Sequence, residues 1–197
     1  MDVENPRFTA QESLVLIRSM IETTKTSISD NSAFFLIWGY ATVVGCLLQY
    51  ILLVFVQYPH HYIAWLVTPF ALLLHILFAI KSKKAERVKT FIGEANGFVW
   101  IIVGCSYLAL AIIFYKIGWQ YSFPFYILLY GIGTYISGSL LKFKPMRFGG
   151  AFCLCIAAFT PYTSYSNQIL LAAFAILISY IVPGHLLRSQ YRKNNNR

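Results

Sequence analysis

Charged residues are scarce in this chain. Asp, Glu, Lys and Arg make up 12% of its 197 residues, whereas about a quarter is usual in soluble domains. Hydrophobic residues account for 58% of the sequence, and the mean hydropathy is +0.61. A chain with so little polar surface cannot cover its core in water, so this composition excludes a soluble globular domain and favours a membrane protein.

Acidic residues are the rarest charged groups, with seven Asp and Glu against sixteen Lys and Arg. No Glu-x-x-His, His-x-x-x-His or paired carboxylates occur in any apolar stretch, which argues against a di-metal or intramembrane protease site. No Ser lies near both a His and an acid. We therefore expect a protein that is not an enzyme and has no cofactor.

Cysteines are few, and none lies in a predicted loop. The four are Cys46, Cys105, Cys153 and Cys155. Their spacing fits neither a disulfide framework nor a zinc site, because two residues at i and i+2 point to different sides of a helix. We interpret them as small packing residues.

Long apolar stretches are what the sequence has in abundance. Six are long enough, or nearly so, to cross a bilayer, which takes about 20 residues. They are residues 32–56, 62–80, 96–115, 122–141, 148–160 and 168–187. The connections between them are short. The sequence therefore predicts an all-α polytopic membrane protein with six transmembrane helices in three antiparallel hairpins.

The positions of the cations predict the orientation of these spans. Fifteen of the sixteen Lys and Arg fall before span 1, after spans 2 and 4, or after span 6, and Lys116 alone falls on the other side. Because cytoplasmic segments retain Lys and Arg, we expect both termini in the cytoplasm. The chain then divides into an N-terminal segment (1–31), a six-helix bundle (32–187) and a basic tail (188–197).

The stretch GIGTYISGSLLKFKPMRFGG, residues 131–150, resembles a phosphate-binding loop only superficially. Such a loop requires Lys directly after its second glycine, and here that position is Ser139. A nucleotide site is therefore rejected in favour of the bend of a membrane hairpin, in which Pro145 ends span 4 and Gly149 and Gly150 begin span 5.

Small residues recur along one face of spans 4 and 5. In span 4 they are Gly131, Thr134 and Gly138; in span 5 they are Gly149, Cys153 and Ala157. Stripes of small residues let helix backbones approach closely within a membrane. We expect spans 4 and 5 to pack tightly against each other.

Several motifs together resemble a group of bacterial six-span membrane proteins with no established activity. They are ESLVLIRSMIETTK (12–25), FFLIWG (34–39), GIGTYISGSLLKFKP (131–145) and SYIVPGHLL (179–187). The resemblance covers nearly the whole chain. It implies a small standalone protein of the bacterial inner (cytoplasmic) membrane and transfers no functional residue.

Residues 9–30 have the pattern of an amphipathic helix. Thr9 and Glu12 match a capping box. An apolar seam follows at spacings of three and four, and it includes Leu14, Ile17, Ile21 and Ile28. The helix could lie in the headgroup plane, dock on its own bundle, or pair with another copy or a cytoplasmic protein. Its mixed charges favour a protein surface over lipid.

Polar residues within the spans are candidates for a cytoplasm-facing cavity or mouth. They are His75, Glu94, Asn96, Lys142, Ser179 and His185. Ser179 belongs to this set because Pro183 removes a helix hydrogen bond to its carbonyl, so Pro183 and Gly184 predict a hinge. The alternatives are snorkelling to the interface, ordinary capping, and a proline that simply ends the buried helix.

Two functions of different classes remain. The first is a non-enzymatic membrane protein that senses or scaffolds through its N-terminal helix, with a cytoplasmic protein or a second copy as partner. The second is a small carrier or channel, and because the mid-membrane stretches contain no acid or base, its ligand would be apolar or lipid-like. An enzyme acting on lipid headgroups is a weaker third interpretation. No nucleic-acid partner is expected.

Overall fold

A computed structural model describes residues 11, 14, 15, 32–83 and 91–195. This part of the chain consists of helices and the turns between them, with no strand. The all-helical fold expected from the sequence is therefore confirmed for the described residues. Leu14 and Val15 are helical and well exposed, whereas Ile17, Ile21 and Ile28 of the predicted N-terminal seam lie outside the described residues.

The described helices follow the six apolar segments. They are α1 (Ser32–Val54), α2 (Val67–Lys83), α3 (Phe91–Ile117), α4 (Ser122–Leu140), α5 (Lys144–Phe159), α6 (Tyr165–Ile176) and α7 (Val182–Asn195). Short 3₁₀ turns cover His61–Leu66, Trp119–Tyr121 and Thr160–Tyr162, and a π-helical turn, Leu177–Ile181, joins α6 to α7.

Four helical stretches in the described chain have the length and apolar composition to cross a membrane: Ser32–Val54, His61–Lys81, Phe91–Ile117 and Tyr165–Ser189. The α4 and α5 helices are not among these four stretches, for two physical reasons. The α5 helix has only 16 residues, and α4 carries glycines, hydroxyls and tyrosines where a lipid-facing helix would carry aliphatic side chains.

The core lies among α1, α4, α5 and the α6–α7 helix. Its most deeply buried side chains include Cys46, Ile127, Cys153, Ile169 and Ile176. The α2 helix packs on α1, and α3 packs on α4. In α2 and α3 only 11% of the apolar stretch is buried, against 56% in Tyr165–Ser189. These two helices therefore lie at the periphery with large apolar faces exposed.

Glycines bring α4 and α5 into the most extensive contact between any two described helices. A methyl group added at Gly150 would lie 2.5 Å from the Tyr135 backbone nitrogen, and one at Gly138 would lie 2.6 Å from the Arg147 nitrogen. At Gly131 it would lie 2.8 Å from Leu154 Cδ2. Because Gly138 and Gly150 meet backbone atoms, which cannot move aside as a side chain does, no Cβ atom fits at these two positions and the backbones pack at a distance that only glycine permits.

The bend between α4 and α5 differs in detail from the sequence interpretation. Two hydrogen bonds end α4, from the Phe143 amide to the Gly138 carbonyl and from the Lys142 amide to the Ser139 carbonyl. This is the Schellman arrangement, and it places Lys142 in the left-handed region at φ 52°. Pro145 then lies in the first turn of α5, where a missing amide hydrogen costs nothing. The α5 helix thus begins at Lys144, before Gly149.

Pro183 lies within a continuous helix. The π-helical turn precedes it directly, and α7 continues past it to Asn195. Widening of the helix before a proline accommodates the pyrrolidine ring without ending the helix. Gly149 packs against Ser179 of this turn instead of against α4, and Gly184 packs against Leu36.

Candidate functional site

A buried amide near the C-terminal end of α1 organises one end of the fold. The Gln49 side chain is 2% exposed. Its Nε2 donates to His61 Nδ1 at 3.2 Å and to the Tyr165 hydroxyl at 3.1 Å, and its Oε1 accepts from Trp65 Nε1 at 2.7 Å. We call Gln49, His61, Trp65 and Tyr165 the Gln49 cluster. It ties α1 to the turn before α2 and to the start of α6.

The donors of the Gln49 cluster determine the protonation of His61. An indole N–H can only donate, so Trp65 fixes the amide oxygen of Gln49 toward itself. The amide NH₂ must then face His61, whose Nδ1 accepts the bond and carries no proton. The imidazole is therefore neutral in this arrangement, with its proton on Nε2.

A hydrogen bond from an indole also determines the protonation of His75 in α2, which lies beside the end of α1 opposite to the Gln49 cluster. Its Nδ1 accepts a hydrogen bond from Trp38 Nε1 at 2.9 Å, and its ring lies 4.5 Å from that of Phe34. His185 contacts the Tyr40 hydroxyl at 2.7 Å. His75 and His185 thus connect α2 and α7 to α1 through hydrogen bonds with aromatic side chains.

The other polar residues predicted from the sequence are dispersed. Glu94 and Lys142 are exposed, and no ion pair joins them among the described residues. Asn96 is 6% exposed, and its Oδ1 has no partner in the described chain. Ser179 is fully buried beside the Cys153 thiol, a weak partner, and makes no other side-chain hydrogen bond within the described part.

Aromatic side chains fill the space between α1, α3, α4 and the π-helical turn. Phe35, Trp100, Tyr130 and Tyr180 form this aromatic centre, and the Tyr180 ring lies 5.2 to 5.5 Å from each of the other three. Trp100 Nε1 donates to the buried Ser137 hydroxyl at 3.0 Å, and the Tyr130 hydroxyl pairs with that of Thr42 at 3.1 Å. Edge-to-face aromatic packing of this kind makes a rigid interior.

A groove of about 730 Å³ opens on the surface between α4, α5 and the start of α6. Phe125, Leu128 and Leu154 give it apolar walls, and Tyr165 of the Gln49 cluster also lines it. At its polar end Gln168 is 7% exposed, and Gln168 Nε2 donates to the Thr163 carbonyl at 3.1 Å. The Gln168 Oε1 atom has no partner among the described residues.

Gln49 and Gln168 were not identified from the sequence. Most of the candidates predicted from the sequence are ionisable, whereas Gln49 and Gln168 are neutral amides. The available signal was an uncharged polar residue inside an apolar stretch, since such a residue must find hydrogen bonds away from water. No three His, Cys, Asp or Glu side chains lie close enough together to hold a metal ion in the described part of the chain.

No protein-family model, curated protein or solved structure matches this chain.

Proposed function

We propose that the chain crosses the bacterial inner membrane six times, as three antiparallel hairpins with both termini in the cytoplasm. The distribution of Lys and Arg supports this, because fifteen of sixteen fall on one side of such a map. The 16 residues of α5 and the three-residue turn after it together extend about 30 Å, the thickness of the hydrocarbon core.

Within that topology, we propose a non-enzymatic protein that senses or scaffolds through its N-terminal helix. The supporting observation is the interior: glycine contacts and the aromatic centre pack it closely, and no Asp, Glu, Lys or Arg is buried among the described residues. Ion coupling within a membrane needs such groups. A rigid membrane-embedded bundle with an amphipathic cytoplasmic helix fits the recruitment of a protein partner better than it fits ion coupling.

A photo-crosslinking amino acid at Leu14 tests this proposal, because that side chain is 64% exposed. A partner would yield one reproducible heavier product, identified by mass spectrometry, and deletion of residues 1–30 would leave the bundle folded without it. An equivalent probe at Leu108, on the exposed face of α3, serves as the control. Products only within the chain, or with lipid, would contradict recruitment.

A carrier of apolar or lipid-like molecules is the second candidate, favoured by the groove beside α4 and α5. Reconstituted protein would then move a fluorescent lipid between the leaflets of liposomes. His75→Ala and Glu94→Gln would reduce that flux if the sequence-predicted cytoplasmic mouth takes part. Flux equal to that of protein-free liposomes would reject the carrier.

A further inference from the structure

The outer face of the bend between α4 and α5 carries a cluster of cations. Lys142, Lys144 and Arg147 are close together in the chain, and all three side chains are exposed. We call these three residues the bend cations. Glu94 is the only acidic residue in the described part of the chain, and it lies in the first turn of α3. The bend therefore presents positive charge that no carboxylate within it balances, and such a surface attracts anions.

The backbone of the bend is fixed by buried side chains that alternate with the bend cations. Leu141, Phe143 and Met146 are 5%, 7% and 2% exposed, so they anchor the bend in the core. Arg147 is held further, because a Cβ atom on Gly138 would lie 2.6 Å from the Arg147 backbone nitrogen and 3.0 Å from its Cγ. Binding of a ligand at the bend cations therefore requires little ordering of the backbone.

The surface of α5 next to the bend cations is aromatic. Lys144, Phe148 and Phe152 follow one another at intervals of four residues, so they form one stripe along the helix. Phe148 is 73% exposed, and Phe152 packs edge-to-face on Phe174 of α6 with 6.3 Å between the ring centroids. Exposed rings of this size indicate a surface that lipid covers. The bend cations then lie where that surface meets water, at the level of the lipid headgroups.

The charge of the bend determines which lipid it prefers. Acyl chains of any lipid cover phenylalanine equally well, so the aromatic stripe contributes no preference between lipids. A zwitterionic headgroup carries its own cation beside the phosphate, and Lys and Arg repel that cation. A phosphodiester without a cation accepts charge-assisted hydrogen bonds from Lys144 and Arg147, which are three residues apart on one side of α5. A soluble anion would contact the cations alone and leave the stripe without a partner.

We propose that the bend cations bind an anionic glycerophospholipid of the phosphatidylglycerol class. Its phosphate lies between Lys144 and Arg147, and one acyl chain lies along Phe148 and Phe152. The site requires only that the bend lies at a membrane surface. It goes beyond the recruitment proposed above and does not involve the N-terminal helix.

The test uses the full chain in phosphatidylcholine nanodiscs and a phosphatidylglycerol probe with a diazirine in one acyl chain. We expect adducts in residues 148–152 and at Phe174, displaced by dioleoylphosphatidylglycerol and not by an equal amount of dioleoylglycerol or by inorganic phosphate. Because both leaflets of the nanodisc have the same composition, the result does not depend on which side the bend faces. Failure of the lipid site is therefore distinguishable from failure of the six-span arrangement.

Two double variants with the same change of charge separate specific binding from general electrostatic attraction. Lys144→Gln with Arg147→Gln alters two exposed side chains and weakens the competition by phosphatidylglycerol about fivefold for each cation removed. Lys81→Gln with Lys83→Gln, at the end of α2, is the matched control and leaves the competition unchanged. Equal losses in the two variants, equal competition by dioleoylglycerol, displacement by inorganic phosphate, or adducts spread evenly over α2 and α3 would overturn the site.

Discussion

Single residues in this protein are constrained most where a polar atom meets an apolar environment. Gln49 uses both amide hydrogens and its oxygen in three hydrogen bonds while it is 2% exposed. In a bilayer no water replaces a lost bond, so the three partners depend on this one side chain.

Gln49→Leu is expected to lower the free energy of unfolding by about 2–3 kcal/mol, because it keeps a similar volume but leaves Trp65, His61 and Tyr165 without their partner. Thermal unfolding in detergent, followed by intrinsic fluorescence, measures the change. Tyr62→Phe removes only the exposed bond to His60 and is the control, with a change below about 0.5 kcal/mol. Equal effects of the two substitutions would show that the cluster contributes little.

Lys142 is a second residue whose backbone determines its substitution effect. It has φ 52° at the end of α4, a position that favours glycine. We expect Lys142→Gly to raise stability by about 0.5–1 kcal/mol. Ser139→Gly, three residues earlier within the helix, should lower it by a similar amount. A loss of stability in both variants would contradict the left-handed assignment.

Helix packing, at the scale of elements, depends on glycines that are not equivalent to one another. Gly150→Ala should cost at least about 2 kcal/mol, because the new methyl group meets the Tyr135 backbone at 2.5 Å and backbone cannot move aside as a side chain does. Thermal unfolding in detergent measures this cost.

Gly104→Ala on α3 is the matched control, since nothing lies within 4 Å of the added methyl group. Alanine there is expected to be neutral or slightly stabilising. If Gly104→Ala proves as costly as Gly150→Ala, the tight contact between α4 and α5 is not what makes glycine necessary.

The attachment of α2 and α6 to α1 through the Gln49 cluster is expected to weaken in acid. A protonated His61 would present an N–H to the Gln49 NH₂, and the other rings that face it, Tyr62 and Tyr165, provide no compensating negative charge. Because the folded arrangement contains His61 as the neutral imidazole, which acid protonates, the free energy of unfolding falls as the pH falls.

The measurement compares melting temperatures at about pH 7.5 and about pH 5.5, on either side of the usual imidazole titration. Between these pH values the free energy of unfolding of the wild type should fall by about 1 kcal/mol more than that of His61→Asn. The Asn amide oxygen accepts a hydrogen bond at both pH values. Identical pH profiles would contradict the neutral His61 assignment. The contribution of His75, which accepts from Trp38, is common to both proteins and cancels.

The helices could be predicted from the sequence, whereas their polar contacts could not. Apolar segments of about 20 residues have few alternatives to helix in a bilayer, so composition alone indicates α1, α2 and α3. Pairing of Gln49 with Tyr165 depends on where two residues 116 positions apart meet, which no local pattern encodes. The bend at Lys142 lies between two helices, as predicted, but its left-handed residue is a lysine, and glycine would have been expected there.

At the scale of the whole molecule, the helices differ in whether they lie at the periphery or line the core. The stretch His61–Lys81, which includes most of α2, and the α3 helix are strongly apolar but peripheral, while α4 and α5 fall outside the four most apolar stretches and line the core. Small residues make good helix contacts but poor lipid-facing surfaces. The two helices that fall outside the four most apolar stretches are therefore among those that line the core.

The loop between α4 and α5 distinguishes six crossings from four. With six, residues 141–143 lie in the cytoplasm; if only the four most apolar helices cross, the same loop lies outside, although the carboxyl terminus is cytoplasmic in both cases. We therefore expect Ser139→Cys, an exposed position beside this loop, to resist a membrane-impermeant maleimide added to intact spheroplasts. It should react once the membrane is permeabilised.

The labelling requires a background in which Cys46, Cys105, Cys153 and Cys155 are replaced, since all four are free thiols. Thr163→Cys, in the turn between α5 and α6, is the matched control and should react without permeabilisation. If both positions react from outside, α4 and α5 do not cross, and the glycine-packed pair lies on the outer surface of the membrane. If only Thr163→Cys does, the six-span arrangement stands, because the chain must then cross once in α4 and again in α5.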